Sequence, residues 1–568
     1  MTKWWGWGII DKSFEVHNKP SFWPFVTEKL GVDPQRDYHP WQLPNLEMSE
    51  PILNHDFVNA IKKIFDANQF NYDKTTRIAH AFGKSYRDLY RARTGAFPRI
   101  PDMVIYPHNH QQVVQLMELA NQYRIILIPF GGGTNIVGAV EACPTSNTMV
   151  LTVNLRRMNK LLHIDPYTQS AVMQAGMLGP EIEQALNPHG FTLGHFPDSF
   201  EFSTLGGWIA TRSAGMQSDK FGNIEDMTIA LKIVTPKGVI ISQCVPRQAA
   251  GPDFKQLMIG SEGCFGIITE ATMQITPLRH QQFRGLFFKN FELGISAIQE
   301  YMTNPAFNIT MLRLSNEIET ALGLAMQPKS AGLKHVIQKA FKHYVKYTKN
   351  IELPNAALMM IGLTGTPHEI HISHQRLMKT FKKYQVVDLG EKIGKRWSKT
   401  KYDYPYLRDY LMDYGLIIDV TETSINWSNV EGLYQHVKTQ FSAYLSQSGH
   451  PQHYLGCHVS HSYHTGACLY FTFAFCGSSG DELAQYLAAK HKIVSLIVEY
   501  GGALSHHHAI GYEHLPWYQD YIGKPCSDLL TYIKNYIDPV NLCNPGKLLP
   551  EHTNTWFKLD KVNHHAKK

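Results

Sequence analysis

Pro129-Phe130-Gly131-Gly132-Gly133-Thr134-Asn135 follows the apolar run Ile125 to Ile128 and reads as a strand entering a tight turn that some other group must approach closely. Three consecutive glycines remove every Cβ from the turn, so successive N–H groups can converge on an anion, and Thr134 and Asn135 add side-chain donors. A pyrophosphate suits such a cradle. The Rossmann pattern G-x-G-x-x-G, begun at Gly131, would need glycine where Ile136 stands. Taken alone, the loop also reads as a glycine-rich surface turn.

Two further nodes weigh against the surface turn. Asp198-Ser199-Phe200-Glu201-Phe202-Ser203-Thr204 runs into Leu205-Gly206-Gly207-Trp208, and Thr211-Arg212-Ser213-Ala214 continues it. Small residues let backbone pack against a flat ring or a phosphate, and Ser199, Ser203 and Thr204 offer hydroxyls. Glu262-Gly263-Cys264-Phe265-Gly266-Ile267-Ile268 is a third glycine turn entering an apolar strand. Three nodes over one domain ask for a long cofactor with a diphosphate in its middle.

The chain of 568 residues is too long for a single core. Its formal charge of +6 is spread along the sequence, too diffuse for nucleic acid but favourable for anionic metabolites or an anionic membrane surface. Eight cysteines without a C-x-x-C pair read as reduced thiols and argue against a cysteine zinc site. The longest apolar segments, such as Ala356 to Leu363 and Leu469 to Phe475, fall far short of the roughly 20 residues that span a bilayer, so membrane contact is expected to be peripheral. The chain opens on Trp4-Trp5-Gly6-Trp7-Gly8 with no cleavable leader and ends Ala566-Lys567-Lys568, unlike a peroxisomal address. A cytoplasmic enzyme is the expectation.

Pattern divides the chain into an N-terminal, partly helical segment (1–96), a cofactor domain (97–278), a second domain (279–500) and a C-terminal segment returning to the first domain and the site (501–568). The N-terminal segment has a helical-looking stretch at Asp56 to Phe70 and a basic run, Arg87 to Arg93. In the cofactor domain, strand signals at Met103 to Tyr106, Arg124 to Pro129, Met149 to Val153, Ile229 to Val234 and Val239 to Ile241 surround a helix at His110 to Tyr123. The second domain alternates strands (Thr310 to Leu314, Ala357 to Leu363) with helices near Gly294 to Met302, Gln338 to Tyr347 and Pro367 to Tyr384, an α+β layout with its own core.

The order of these motifs resembles the FAD-binding domain of the vanillyl-alcohol oxidase and p-cresol methylhydroxylase superfamily. That resemblance implies an α+β fold: a two-subdomain FAD-binding domain plus an α+β cap domain for the substrate, built on an antiparallel sheet. It also implies that Pro129–Asn135, Asp198–Thr204, Thr211–Ala214 and Glu262–Ile268 line FAD. Segments from end to end are similar to the alkyldihydroxyacetonephosphate synthase family: Lys3-Trp4-Trp5-Gly6-Trp7-Gly8, Arg313-Leu314, Tyr406-Leu407-Arg408-Asp409, Glu422-Thr423-Ser424 with Trp427, Gly466 to Phe471, and Leu504-Ser505-His506-His507-His508.

The family resemblance implies ether-lipid synthesis. The acyl chain of 1-acyl-dihydroxyacetone phosphate is exchanged for a long-chain fatty alcohol, releasing a fatty acid and 1-alkyl-dihydroxyacetone phosphate, through a flavin adduct with no net redox change. It makes Tyr470 the catalytic acid/base, assisted by His506, His507 and His508, adds Arg313 as a residue needed for activity, and puts Cys468 in the substrate pocket. Read from chemistry alone, Tyr470 sits in an alternating aromatic strand and is equally a core residue. As a base near neutral pH its phenol would need positive charge nearby, with the histidines and Arg408 as sources. A guanidinium fork matches a phosphate, so Arg408 is assigned to the anionic part of the substrate; a pair with Asp409 or Asp413 is the alternative.

No metal is expected. Consecutive residues of an extended chain point to alternate faces, so His506–His508 should not converge on one ion, and His458, His461 and His464 carry helical spacing in a strand-like setting. Gly83-Lys84-Ser85 lacks the first glycine of a P-loop, its place taken by Ile78. FAD is expected to be non-covalent, since 129–135 holds no histidine or cysteine, with His195 as the possible exception. The competing enzyme is an FAD-dependent dehydrogenase of a small 2-hydroxy acid such as D-lactate or glycolate; a flavin-retaining lipid-binding protein without turnover is a third class. A homodimer is compatible with all three.

Overall fold

The computed structural model describes residues 2–35, 48–143, 147–303, 309–328, 343, 346, 347 and 349–549. The expected helix near Gln338 to Tyr347 lies mostly outside them. The first sheet has the order β1 (Phe70–Asn71), β2 (Met103–Ile105), β4 (Val150–Asn154), β3 (Ile126–Phe130), with β4 parallel to both β2 and β3. Helix His110–Tyr123 makes the crossover. The Asn109 side chain accepts from Gln112 N at its start, and Arg124 ends it in the left-handed region at φ 55. All five residues of β4 are buried, as a central parallel strand requires. The glycine loop leaves the carboxyl end of β3, where open parallel sheets hold ligands.

A five-stranded antiparallel sheet follows, in the order β5 (Leu161–Asp165), β6 (Ser170–Gln174), β10 (Ile267–Gln274), β8 (Thr228–Thr235), β9 (Gly238–Ile241), with β7 (Phe191–Thr192) and β11 (Thr276–Pro277) paired beside it. Leu127 and Leu151 of the first sheet share one core with Met173, Ile233 and Ala271 of the second. The last part of the chain joins this unit. Leu127 N donates to Leu542 O at 2.8 Å and Leu127 O accepts from Asn544 N at 2.9 Å, so Cys543 extends the first sheet beyond β3.

The third sheet is antiparallel and seven-stranded, in the order β15 (Val387–Gly390), β12 (Gln281–Phe288), β14 (Ala357–Thr364), β13 (Ile309–Ser315), β17 (His453–Ser462), β18 (Gly466–Cys476), β16 (Leu416–Asn426). Alternation decides its two faces. Leu469, Phe471 and Phe473 pack under helices Trp427–Gln447 and Glu482–Glu499 in a second core. Their neighbours Tyr470, Thr472 and Ala474 face a cavity toward the cofactor unit. The fold is thus the α+β arrangement the motifs implied. Among the described residues no helix is long and apolar enough to cross a membrane.

Two local expectations change. Of the stretch Asp56 to Phe70 only His55–Ile61 is α-helical, a short 3-10 turn occupying Ala67–Gln69. The basic run forms helix Tyr86–Thr94 with a Ser85/Asp88 capping box, and its arginines are buried. Glu141 accepts from Arg87 Nη1 at 2.7 Å and Arg91 Nη1 at 2.8 Å, so the charges are paired inside.

One carboxylate stitches the cofactor unit to the third sheet. Asp219, on the short helix Ser218–Phe221, accepts from Leu312 N of β13 and Ser462 N of β17, both at 2.8 Å. Burial pushes its carboxyl up to about 7 against those two donors. The folded carboxyl therefore holds its proton up to about pH 7 while the unfolded one releases it near its ordinary value of 3.8, so folded protein binds more protons between and loses stability as pH rises through that window. Asp219→Asn has no such titration. The difference in melting temperature between wild type and this variant should narrow from pH 5 to pH 8; a gap that widens or stays constant would count against the assignment.

Candidate active site

A cavity of about 430 Å³ begins at the glycine loop and extends over the third sheet. The loop's glycines owe their lack of side chains to its neighbour. A Cβ on Gly131 would strike the Thr204 hydroxyl, one on Gly132 the Phe202 carbonyl, and Gly133 has φ 65 against the Phe130 ring. The first node is thus pressed onto the second, leaving bare backbone along the cavity. At Gly207 a Cβ would meet only Thr204 Oγ1, at 3.2 Å, so that wall too is stripped. An extended cofactor with a phosphate middle fits this lining, which includes residues 129–135, Asp198, Ser199, Ser203, Thr204, Thr211, Ser213, Ala214, Glu262, Gly263, Gly266 and Ile268.

The remaining residues expected at the cofactor are not part of this lining. Phe200 stacks on Tyr402 at 5.6 Å, and the Arg212 guanidinium donates to Gln256 O at 3.0 Å. Cys264 and Phe265, in the turn, and Ile267, the first residue of β10, are buried in the core of the cofactor unit. Glu201 and Phe202 face a separate cavity of about 410 Å³ behind the loop. His195 is buried away from the cavity lining, its Nε2 3.2 Å from Ser213 Oγ.

At the far end, Tyr470 lies on β18 with its ring 4.7 Å from His458 and 5.9 Å from His507, inclined 21° to each, and edge-on to His508. The His458 ring is fixed by its Nδ1, which donates to Glu319 Oε1 at 2.9 Å. Glu422 organises the histidine run. Its carboxylate accepts from the backbone N–H groups of His506 (2.5 Å), His507 (3.1 Å) and His508 (3.0 Å) and from the Ser505 hydroxyl (2.8 Å). Burial opposes that charge, yet the facing histidines and backbone donors take the carboxyl well below its ordinary value.

The bend around Glu422 corrects the expectation that three consecutive histidines diverge. His506 Nδ1 lies 2.9 Å from His507 Nδ1, and His506 Nε2 meets the Tyr463 hydroxyl at 2.5 Å. With His461 and Cys468, these two histidines bring four metal-capable atoms within 4.8 Å of one another; Glu422, His507 and His508 form a second such group. The expected source of positive charge also changes. Burial lowers His506 and His508 and takes His507 well below its ordinary value, while burial and then Asp198 push the Tyr470 phenol well above its own. The resting pair is a protonated phenol beside neutral imidazoles.

Arg408, on helix Tyr404–Met412, donates from Nη1 to Lys84 O at 2.6 Å and approaches Asp409 Oδ1 at 3.4 Å from Nη2. Its Nε is buried without a partner among the described residues, and the side chain lines the cavity. The pair with Asp409 exists, though that carboxylate also takes the Trp7 N–H. Arg313 lines the cavity from β13. Burial works against its charge, but Asp198, Glu319 and Tyr404 hold its pKa above the ordinary value.

The cavity floor changes character in three rungs. Tyr470, Thr472 and Ala474 of β18 face it; in register, β17 adds His458 and Tyr454 to the lining, with Gly456 between them, and β16 adds Val420 and Ile418, with Glu422 buried at the register position of Tyr470. Over about 13 Å of strand, ionisable groups give way to apolar ones. Past the last rung the walls are Phe25, Val26 and Leu30 of helix Phe22–Leu30, Leu322 and Gly323 of helix Glu317–Ala325, and Leu407 and Leu411.

Glu422 and Glu319 carry no sequence signal as organisers, His458 and His461 stand beside Tyr470 and His506 where sequence offers them only as metal ligands, and Glu262 has a second task beyond the cofactor lining. Glu262 accepts from Ile510 N at 2.9 Å and Gly511 N at 2.8 Å, fastening the segment just after the histidines. A buried carboxylate whose partners are remote backbone amides leaves no spacing to read.

Residues 101–242 match the family described as FAD binding domain, and residues 278–548 the one described as FAD linked oxidases, C-terminal domain. The alkyldihydroxyacetonephosphate synthase of Dictyostelium discoideum is 38% identical over 528 residues, covering 92% of this chain and 86% of that protein. A solved alkyldihydroxyacetonephosphate synthase superposes with a TM-score of 0.84 at 35% identity, covering 96% of this chain and 99% of the other. p-Cresol methylhydroxylase, at 13% identity and a TM-score of 0.63 over 87% of this chain and 97% of its own, shares the fold.

Replacing Glu422 with Gln turns one acceptor into an N–H₂ facing N–H donors. Glu422→Gln should lose about 2–3 kcal/mol in urea unfolding, because buried donors are left unmatched. An unfolding curve superimposable on wild type would show that the histidine loop is held by something else.

Proposed function

The chain belongs to the alkyldihydroxyacetonephosphate synthase family, and from that premise we propose that it exchanges the acyl chain of 1-acyl-dihydroxyacetone phosphate for a long-chain fatty alcohol. The observation that carries the reading is the polarity gradient along one cavity: arginines, histidines and a tyrosine at one end, an apolar arm at the other. A phosphorylated headgroup with one long chain has that shape and polarity. A small 2-hydroxy acid would leave the arm without use.

FAD held along the three glycine nodes supplies a reversible electrophile at the headgroup end, with no net redox change. The chain's own residues then divide the work. Arg408, with Nε unmatched, takes the phosphate. A neutral imidazole of the cluster accepts a proton from the substrate carbon while the Tyr470 hydroxyl hydrogen-bonds the departing carboxylate; once the alcohol has added and given its own proton to the released fatty acid, the imidazole returns its proton to the carbon. Arg313 balances Asp198 and keeps net charge near the reacting atoms small. The apolar arm excludes water and receives first the acyl chain and then the alcohol. We place this enzyme in the cytoplasm, meeting its alcohol peripherally at an anionic membrane surface that its formal charge of +6 favours.

Purified yellow protein should incorporate labelled hexadecanol into alkyl-dihydroxyacetone phosphate and should not bleach lastingly on anaerobic addition of D-lactate or glycolate; bleaching without incorporation would favour the dehydrogenase. Tyr470→Phe should keep its flavin and lose about 10²–10⁴ in kcat, whereas Arg408→Met should act mainly by raising KM for the phosphorylated substrate. A plateau of kcat/KM is expected across neutral pH. Its acid limb lies below the ordinary histidine value of 6.5, where the imidazole base becomes protonated, and its alkaline limb above the ordinary tyrosine value of 10.0, where the phenol donor is lost. A limb near pH 8 in the pH–rate profile would contradict this pairing.

A further inference from the structure

The apolar arm has one bare wall. Gly323 sits within helix Glu317–Ala325 and lines the cavity, and alone among the cavity-lining glycines described, a Cβ built on it would meet no atom of the described residues within 4 Å. The helix runs outward from the chemistry. Glu319 holds His458 beside Tyr470, and Gly323 follows four residues later, about 6 Å further along the axis. There it stands with Leu322, Val26, Leu30, Leu411 and Tyr454 around the end of the arm.

Helix stability gives no reason for glycine at this place, since alanine or leucine favours a helix more. Its backbone is not in the left-handed region, so a side chain would bring no strain. What the glycine contributes is empty volume. We propose that Gly323 is a specificity-determining residue: the space over it admits the distal part of a long alkyl chain, and a side chain there would end the arm early and shorten the preferred alcohol. The inference rests on the acyl-for-alcohol exchange proposed above and adds the residue that measures the chain.

The test uses the flavin-loaded full chain, with decanoyl-dihydroxyacetone phosphate as donor and equimolar decanol and hexadecanol in competition. Wild type should form both ethers. In Gly323→Leu the hexadecyl-to-decyl product ratio should fall about tenfold or more, in Gly323→Phe further, and in Gly323→Ala less, with decyl ether formation within about threefold of wild type in the leucine variant. Flavin absorbance and melting temperature confirm that each variant is folded, and the graded alanine variant carries the comparison should phenylalanine fail to fold. Unchanged ratios, or an equal fall in both products, would overturn the role of Gly323 and leave the exchange reading standing. Wild type that incorporates neither alcohol would overturn the exchange reading, and the chain-length role with it.

Discussion

A single buried carboxylate, Glu422, decides what the site can be. Four donors converge on it, three of them consecutive backbone N–H groups, and the chain from Ser505 to His508 must curl to deliver them. That curl turns three neighbouring imidazoles toward one another and sets His507 and His508 against Tyr470. An ion buried with several donors has large consequences in either direction: satisfied, it imposes one geometry; unsatisfied, it is costly. The protonation pattern follows, since the imidazoles are assembled in a desolvated place where burial keeps them neutral.

The same device recurs at two other seams. Asp219 holds strands β13 and β17 against the cofactor unit through their backbone amides, and Glu262 holds Ile510 and Gly511 just beyond the histidines. In each case a carboxylate on one part of the chain satisfies backbone donors that another part cannot satisfy itself. Charge pairing does similar work behind the site. Lys490 Nζ lies 3.0 Å from Asp419 Oδ2 on β16, and the Tyr486 hydroxyl bridges Asp419 at 2.7 Å and Glu513 at 2.9 Å. The active-site strand, a covering helix and the C-terminal segment are thereby locked to one another.

What could be read from sequence was what depends on near neighbours. Helix His110–Tyr123 announced itself through its periodicity between Asn109 and the strand that follows, and β14 through an unbroken apolar run. The glycine nodes were legible because three small residues in a row have few uses. The reason for the glycines was only half legible: Gly132 faces the Phe202 carbonyl, a contact 70 residues distant that no local pattern encodes. The basic run at 87–93 read as a charged segment, yet its partner Glu141 lies 54 residues beyond Arg87. The histidine run misled because a conformation imposed from outside, by Glu422, replaced the extended one that consecutive residues adopt by default.

The return of the C-terminal segment to β3 bears on how this protein is made. Asn544 donates to Ala139 O across 405 residues of sequence and to Glu262 O, while Lys534 Nζ ties Cys264 O and Cys543 O together. Until residues 542–544 leave the ribosome, the edge of the first sheet and the floor of the third glycine node lack their partners. A nascent chain therefore carries strand β3 without this partner, open to wrong pairing, until the more than 400 residues from β3 to Leu542 have been made. The first sheet and the third glycine node are thus completed by residues that follow the whole third sheet in sequence.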